Sequence, residues 1–95
     1  MHNEVIEVIR RNLHSLSAIK HLYVFGSVLE SNSIPNDIDI LLIYDEYTDA
    51  VKDSSNRLKN ILETEFELPV DLTVLSDNEE KEVGFLDRVM ALCVK

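Results

Sequence analysis

The stretch VFGSVLESNSIPNDIDILL, residues 24–42, contains the most hydrophobic run of the chain, and two acidic residues lie where that run begins. Asp37 and Asp39 are separated by one residue, and the apolar run over 38–44 is typical of a buried strand. An ionised carboxylate at the edge of a core is costly unless it is paired with a cation or binds a metal. The pattern therefore predicts that something is bound where this strand begins.

The length and composition favour one small globular domain. A chain of 95 residues has room for a single hydrophobic core, and we expect one domain over residues 1–95. The apolar fraction of 45% is ordinary for a globular protein, and no apolar run is long enough to cross a bilayer. The N-terminal segment has the interrupted hydrophobicity that a secretory signal lacks. We therefore expect a cytoplasmic protein that does not associate with membranes.

The charge balance restricts the class of partner. Eighteen acidic residues outnumber nine basic ones, and the formal net charge is −9. Direct binding of nucleic acid depends largely on Lys and Arg that neutralise phosphates, so we expect none here. Two other ligands stay open: a nucleotide held through a divalent cation, and a basic protein partner.

Helical patterns alternate with short apolar runs along the chain. Apolar spacing predicts a helix over residues 3–19 and a second over 45–67. Asp77 with Glu80 three residues later resembles a capping box, which would open a third helix ending near Val94. Between these helices we expect strands over 22–25, 38–44 and 70–75, with a loop over 31–37 around a proline. The expected fold class is α/β (α+β), a small mixed sheet of three or four strands flanked by helices.

The predicted C-terminal helix is more apolar than one core contact requires. It carries two apolar stripes, which consist of Val83, Leu86, Met90 and Cys93 and of Phe85, Val89 and Leu92. We expect this helix to be wedged into the core, with the single cysteine buried. The alternative is that the helix forms a partner surface, which could support a homo-oligomer.

The acidic residues are predicted to converge on one face of the sheet. Side chains alternate along a strand, so Asp37 and Asp39 point the same way, and Asp71 lies in the third predicted strand. Three carboxylates from two strands would suit a hard divalent cation. Taken singly, each acid could instead form a turn or end a strand, and Gly26-Ser27 could be an ordinary turn.

These residues together carry a resemblance to a known family. FGS at 25–27 is followed after nine residues by DIDILL at 37–42, and later by an acid in a third strand. This combination resembles the nucleotidyltransferase superfamily that includes DNA polymerase beta and the aminoglycoside nucleotidyltransferases. The resemblance extends from about Leu22 to Leu75, and the length is similar to that of the minimal nucleotidyltransferases of bacteria and archaea.

The resemblance implies a role for each residue of the pattern. Gly26 and Ser27 would bind the triphosphate of a nucleotide. Asp37, Asp39 and Asp71 would be the catalytic carboxylates and would bind two Mg²⁺ ions, for which Mn²⁺ could substitute. Asp71 would also receive the proton of the acceptor hydroxyl. The reaction would be transfer of a nucleoside monophosphate with release of pyrophosphate.

The same resemblance implies a protein partner. Minimal nucleotidyltransferases often act as the antitoxin of a HEPN-type toxin and transfer AMP from ATP to it. Residues 28–31 depart from the small, basic, glycine-containing stretch usual in these proteins, and Lys20 is one candidate for the missing positive charge. Two alternatives therefore stay open: an inactive antitoxin that neutralises its partner by occlusion, and a homodimeric enzyme that modifies small molecules.

Overall fold

The computed structural model describes residues 2–30 and 35–95, so part of the loop predicted over 31–37 lies outside the described residues. The described strands are β1 (His21–Phe25), β2 (Ile38–Tyr44), β3 (Val70–Ser76) and β4 (Ala91–Cys93). The α-helices are α1 (His2–Arg11), α2 (Asp49–Phe66), α3 (Asp77–Val83) and α4 (Phe85–Arg88), and single 3-10 turns cover Leu13–Ser15 and Gly26–Leu29. Among the described residues, no helix combines the length and apolar character needed to cross a membrane.

The strands form one mixed sheet in the order β3-β2-β1-β4. Strand β1 pairs antiparallel with both β2 and β4, whereas β2 pairs in parallel with β3 through the crossover helix α2. The prediction of a small mixed sheet flanked by helices is confirmed.

Strand β2 lies inside the sheet and is covered on both faces. Ile38, Ile40 and Leu42 are fully buried in the core that α1 and α2 complete. Leu41 and Ile43 on the opposite face are also buried, at 0% and 2% exposure. Burial on both faces explains why this strand is apolar for most of its length.

Helix α1 ends earlier than its apolar spacing predicts. The helix stops at Arg11, and only a 3-10 turn follows, so the predicted helix over 3–19 is too long. Asn12 Nδ2 donates to the Val8 carbonyl at 2.7 Å, and Ser15 Oγ donates to the Asn12 carbonyl at 2.8 Å. Such side-chain bonds satisfy backbone groups that would otherwise continue the helix.

The capping box of α3 lies one residue before its predicted position. Ser76 is the N-cap: its hydroxyl accepts from the Glu79 N–H at 3.0 Å, and Glu79 Oε1 accepts from the Ser76 N–H at 2.8 Å. Asp77 instead forms ion pairs with Lys20 and Lys81 at 3.1 and 3.4 Å. The predicted pairing of Asp77 with Glu80 is therefore wrong.

The prediction of a single C-terminal helix is wrong as well. Gly84 adopts a left-handed conformation with φ 63° and ends α3, and Val89 is extended and leads into β4, which pairs with β1. Three of the residues predicted to be wedged into the core are exposed, Val83 by 50%, Met90 by 86% and Leu92 by 42%, and Cys93 is exposed as well. Pairing with β1 supplies backbone hydrogen bonds that outweigh the helical pattern of this segment. The helix suggested as a surface for homo-oligomers is thus not formed.

Candidate functional site

The three predicted aspartates converge on one face of the sheet. Asp39 lies on β2 and Asp71 on β3, and the parallel register places these two residues directly opposite each other. Asp37 precedes β2 by one residue and points the same way as Asp39. Each residue offers a carboxylate oxygen, and these oxygens lie within 4.8 Å of one another. The predicted convergence is thus present in the structure.

The convergence concentrates negative charge. Asp37 and Asp39 are half-buried and Asp71 is exposed. Burial raises the pKa of the Asp39 carboxyl, and the charges of Asp37 and Asp71 raise it further. None of the ion pairs between described residues includes any of the three. A cluster of carboxylate oxygens without a protein cation suits a divalent metal ion, which would relieve their mutual repulsion.

Gly26 lies directly against this cluster. Its φ of 78° is left-handed, and a Cβ built on it would collide with Asp39 Oδ2 and lie 3.1 Å from Asp39 Cγ. The register of β1 with β2 causes this proximity, because Phe25, the preceding residue, is paired with Asp39. Sequence reasoning related Gly26 to phosphates alone. Its role in making room for Asp39 depends on a strand register that the sequence did not specify.

Ser27 lies next to an open cleft. The residue is half-buried in the turn Gly26–Leu29, and its carbonyl accepts from the Glu30 N–H at 3.0 Å. The cleft has a volume of about 320 Å³, and its lining residues are Phe25, Gly26, Ser27, Leu29, Glu30, Val89 and Met90. Sequence reasoning missed the last two as neighbours of the Gly-Ser turn, because it placed them in a helix. No lining residue is basic, so the described part of this cleft provides no cation for a triphosphate.

Lys20 does not supply the missing positive charge. Its Nζ lies 3.1 Å from Asp77 Oδ2 and 3.3 Å from Asp45 Oδ1, and hydrogen bonding to Asp77 is the main cause of the raised pKa of this lysine. Lys20 also lies directly before β1 and Gly26 directly after it. The extended strand therefore separates these two residues by about 20 Å. The suggestion that Lys20 assists phosphate binding is therefore wrong.

A second cleft lies between α2 and β3. Its volume is about 330 Å³, and its lining residues are Tyr47, Lys52, Ser55, Asn56, Lys59, Val70, Asp71, Leu72 and Val74. Asp71 belongs to both this cleft and the acidic cluster. Sequence reasoning missed the cleft, although the helical spacing of Lys52, Asn56 and Lys59 already indicated one polar stripe on α2.

The sequence of this chain matches a protein-family model, and its fold is similar to that of solved structures. The family model described as "Polymerase beta, Nucleotidyltransferase" matches residues 3–90. No curated protein matches the sequence.

Three solved structures are similar to the whole fold. A mutant form of the toxin-antitoxin MntA-HpeT has 18% identity and a TM-score of 0.61, and the alignment covers 100% of this chain and 73% of that chain. The complex of a tri-AMPylated Shewanella oneidensis HEPN toxin with MNT antitoxin has 18% identity and a TM-score of 0.63, with 100% and 72% covered. A candidate nucleotidyltransferase from Sulfolobus solfataricus has 22% identity and a TM-score of 0.55, with 98% and 78% covered. At these identities the similarity concerns the fold alone.

Proposed function

Because the chain belongs to the polymerase beta nucleotidyltransferase family, we propose that it transfers AMP from ATP to a hydroxyl group of a partner protein. The observation that carries this proposal is the cluster of Asp37, Asp39 and Asp71, whose carboxylate oxygens lie within 4.8 Å of one another. The left-handed Gly26 lies against Asp39, which supports assignment of the Gly-Ser turn and the acids to one site.

The donor set fits two Mg²⁺ ions, or Mn²⁺ in their place. Carboxylate oxygens are the ligands that these hard cations prefer. Asp37 and Asp39 would hold both ions, and Asp71 would hold the ion on the acceptor side. When bound, such a pair stabilises the attacking and leaving oxygens of an in-line displacement.

The residues of this site would then each contribute to one substitution reaction at the α-phosphorus of the nucleotide. The acceptor oxygen forms a bond to the α-phosphorus, while the bond from that phosphorus to the bridging oxygen breaks and pyrophosphate leaves with the electron pair. Asp71 is the exposed member of the cluster, so it is the carboxylate that an acceptor can reach and to which the acceptor proton passes. Gly26 allows close backbone approach, and Ser27 offers its hydroxyl and N–H to the phosphates.

We propose a HEPN-type toxin as the acceptor. Two of the similar folds belong to toxin-antitoxin complexes, and in one of them the HEPN toxin is tri-AMPylated. A net charge of −9 also favours association with a basic protein.

The test is transfer of label from α-³²P-ATP. The full chain is incubated with Mg²⁺ and a HEPN-type toxin, and labelled protein is detected after electrophoresis. We expect label on the partner with the wild-type chain and a loss of at least a hundredfold with Asp39→Asn. Asp53→Asn, on the exposed face of α2, is the control and should transfer normally. Equal transfer by the Asp39→Asn chain would remove the acidic cluster from the mechanism.

A second function is favoured by the cleft beside Ser27. The described lining of that cleft includes no basic residue, an arrangement that does not favour a triphosphate. The chain would then neutralise its partner by occlusion alone. In that case no label is transferred, and Asp39→Asn still suppresses the activity of the toxin as well as the wild type does.

A further inference from the structure

Strand β3 leaves one edge of the sheet open. It is the first strand in the order β3-β2-β1-β4, so only its inner side is paired with a described strand. The Ile38 N–H donates to the Pro69 carbonyl at 2.9 Å, and Ile38 is in register with Val70. Because backbone groups alternate in direction along a parallel strand, those of Leu72 and Val74 point outward.

A hydrogen bond at the start of β3 supports the outward direction of these backbone groups. The Val70 N–H belongs to the same alternating set, and it donates to Glu63 Oε2 at 3.1 Å instead of to β2. Leu72 and Val74 both line the cleft between β3 and α2. An extended peptide in this cleft would therefore find backbone donors and acceptors in the spacing of a strand.

The facing wall of the cleft is basic, in contrast to the net charge of the chain. Lys52 and Lys59 are exposed, lie on one side of α2 and line the cleft together with Asn56. The ion pairs of the described part of the chain include Lys20 and Lys81 but neither of these two lysines. Two lysines that form no ion pair with any described residue, beside an open strand, favour an acidic ligand.

We propose that an extended acidic segment of the acceptor protein adds to the open edge of β3 as a further strand, with its acidic side chains against Lys52 and Lys59. This inference rests on the proposed transfer to a protein hydroxyl, and it specifies how that hydroxyl is presented. Addition of a strand to a sheet edge is a known mode of peptide recognition, in which side-chain pockets provide specificity.

The alternation of the added strand defines the acceptor motif. A residue opposite Asp71 projects onto the face of the acidic cluster, where its hydroxyl can approach the reacting phosphorus. Its two neighbours project onto the opposite face, which α2 covers and where the lysines lie. Lys52 and Lys59 are separated by about 10 Å along the helix, and the two residues that flank the acceptor are separated by about 7 Å along the strand, a difference that long lysine side chains can span. The acceptor hydroxyl is therefore flanked by acidic residues at adjacent positions.

The test measures binding without requiring transfer. The probe is a fluorescein-labelled heptapeptide of alternating glutamate and threonine with a central tyrosine, and fluorescence anisotropy is measured with the full chain in the absence of nucleotide. We expect the charge-reversed K52E/K59E chain to bind about tenfold more weakly, because two attractions become repulsions. R57E, on the same helix but outside the cleft, should bind within twofold of wild type.

Backbone methylation tests strand addition itself. An added strand directs only alternate amides toward β3, so N-methylation of one alternating set should abolish binding while methylation of the other set leaves it unchanged. Equal effects of the two sets would overturn the proposal, as would equal binding of a peptide with glutamine in place of glutamate. Loss of ATP binding rather than peptide binding in K52E/K59E would assign the lysines to the nucleotide and also overturn it.

The outcome separates this inference from the proposed function. Transfer to the whole partner protein without any peptide binding would reject strand addition and leave the transferase intact. Peptide binding with the expected variant pattern, in a chain that transfers no label, would support strand addition and reject the enzyme.

Discussion

Asp39 occupies the space that a side chain at Gly26 would need: a Cβ there would meet the carboxylate and lie 3.1 Å from its carbon, Cγ. Gly26 and Asp39 are not neighbours in the sequence, and the pairing of β1 with β2 brings them into contact. The absence of a side chain at Gly26 thus leaves the space that the Asp39 carboxylate occupies. A side chain at position 26 would therefore displace the Asp39 carboxylate.

We expect Gly26→Ala to displace Asp39 and to disrupt the acidic cluster. The variant combines a left-handed φ with a direct collision, so it should lose about 1 to 3 kcal/mol of stability and most of its stabilisation by Mn²⁺. Gly84→Ala is the matched control, because its φ of 63° is also left-handed but its nearest neighbour lies 3.6 Å away. Thermal unfolding with and without Mn²⁺ measures both effects. A normal Mn²⁺ response in Gly26→Ala would show that the contact does not position the acid.

Replacement of Asp37 should remove the response to divalent metal. With a dissociation constant on the order of 1 mM, about 10 mM Mg²⁺ would stabilise the wild type by roughly 1.4 kcal/mol. For a domain of this size that corresponds to a rise of roughly 5 to 10 °C in the unfolding temperature. Asp37→Asn should be more stable than wild type without metal and should gain little from it. Asp53→Asn should respond like the wild type, and an identical response in all three proteins would argue against a metal site.

The raised pKa of Asp39 predicts a specific dependence of stability on pH. Because its folded-state pKa lies above the ordinary value, ionisation at neutral pH destabilises the metal-free protein, and protonation relieves this as the pH falls through the raised pKa. Asp39→Asn lacks the penalty. We therefore expect the variant to be the more stable protein at pH 7 and its advantage to shrink on acidification. Unfolding temperatures measured from pH 7 to 4 in a chelating buffer test this, and an advantage independent of pH would contradict it.

The observed capping box predicts which substitution at the start of α3 costs more stability. Ser76→Ala removes the acceptor of the Glu79 N–H and should cost about 1 kcal/mol of stability. Asp77→Ala breaks only exposed ion pairs with Lys20 and Lys81 and should cost less. Chemical denaturation compares the two variants. A larger loss in Asp77→Ala would favour the position of the cap that the sequence suggests.

The sequence predicted the parts of the fold that have a strong local signal. Strand β2 was predicted with the bounds Ile38–Tyr44 that the structure has, because burial on both faces makes its apolar run continuous. The two acids at its start and the acid of β3 were expected on one face, because the period of a strand fixes the direction of alternate side chains.

The rest depended on contacts between distant segments. The C-terminal residues fit a helical pattern, yet Gly84 ends the helix and Ala91–Cys93 pairs with β1. The cleft beside Ser27, with Val89 and Met90 in its lining, follows from that pairing. The contact between Gly26 and Asp39 depends on the register of β1, which no local pattern specifies.

The position of Asp39 in β2 has a consequence for motion. The residue lies between two fully buried neighbours, Ile38 and Ile40, on a strand that is paired on both sides. Segments of this kind open with a free energy close to that of global unfolding, so we expect strong protection of their amide hydrogens from exchange with solvent. Local unfolding of β2 therefore does not move Asp39 away from the other two carboxylates. The backbone that carries Asp39 is therefore in place before any ligand arrives, and binding there requires no ordering of β2.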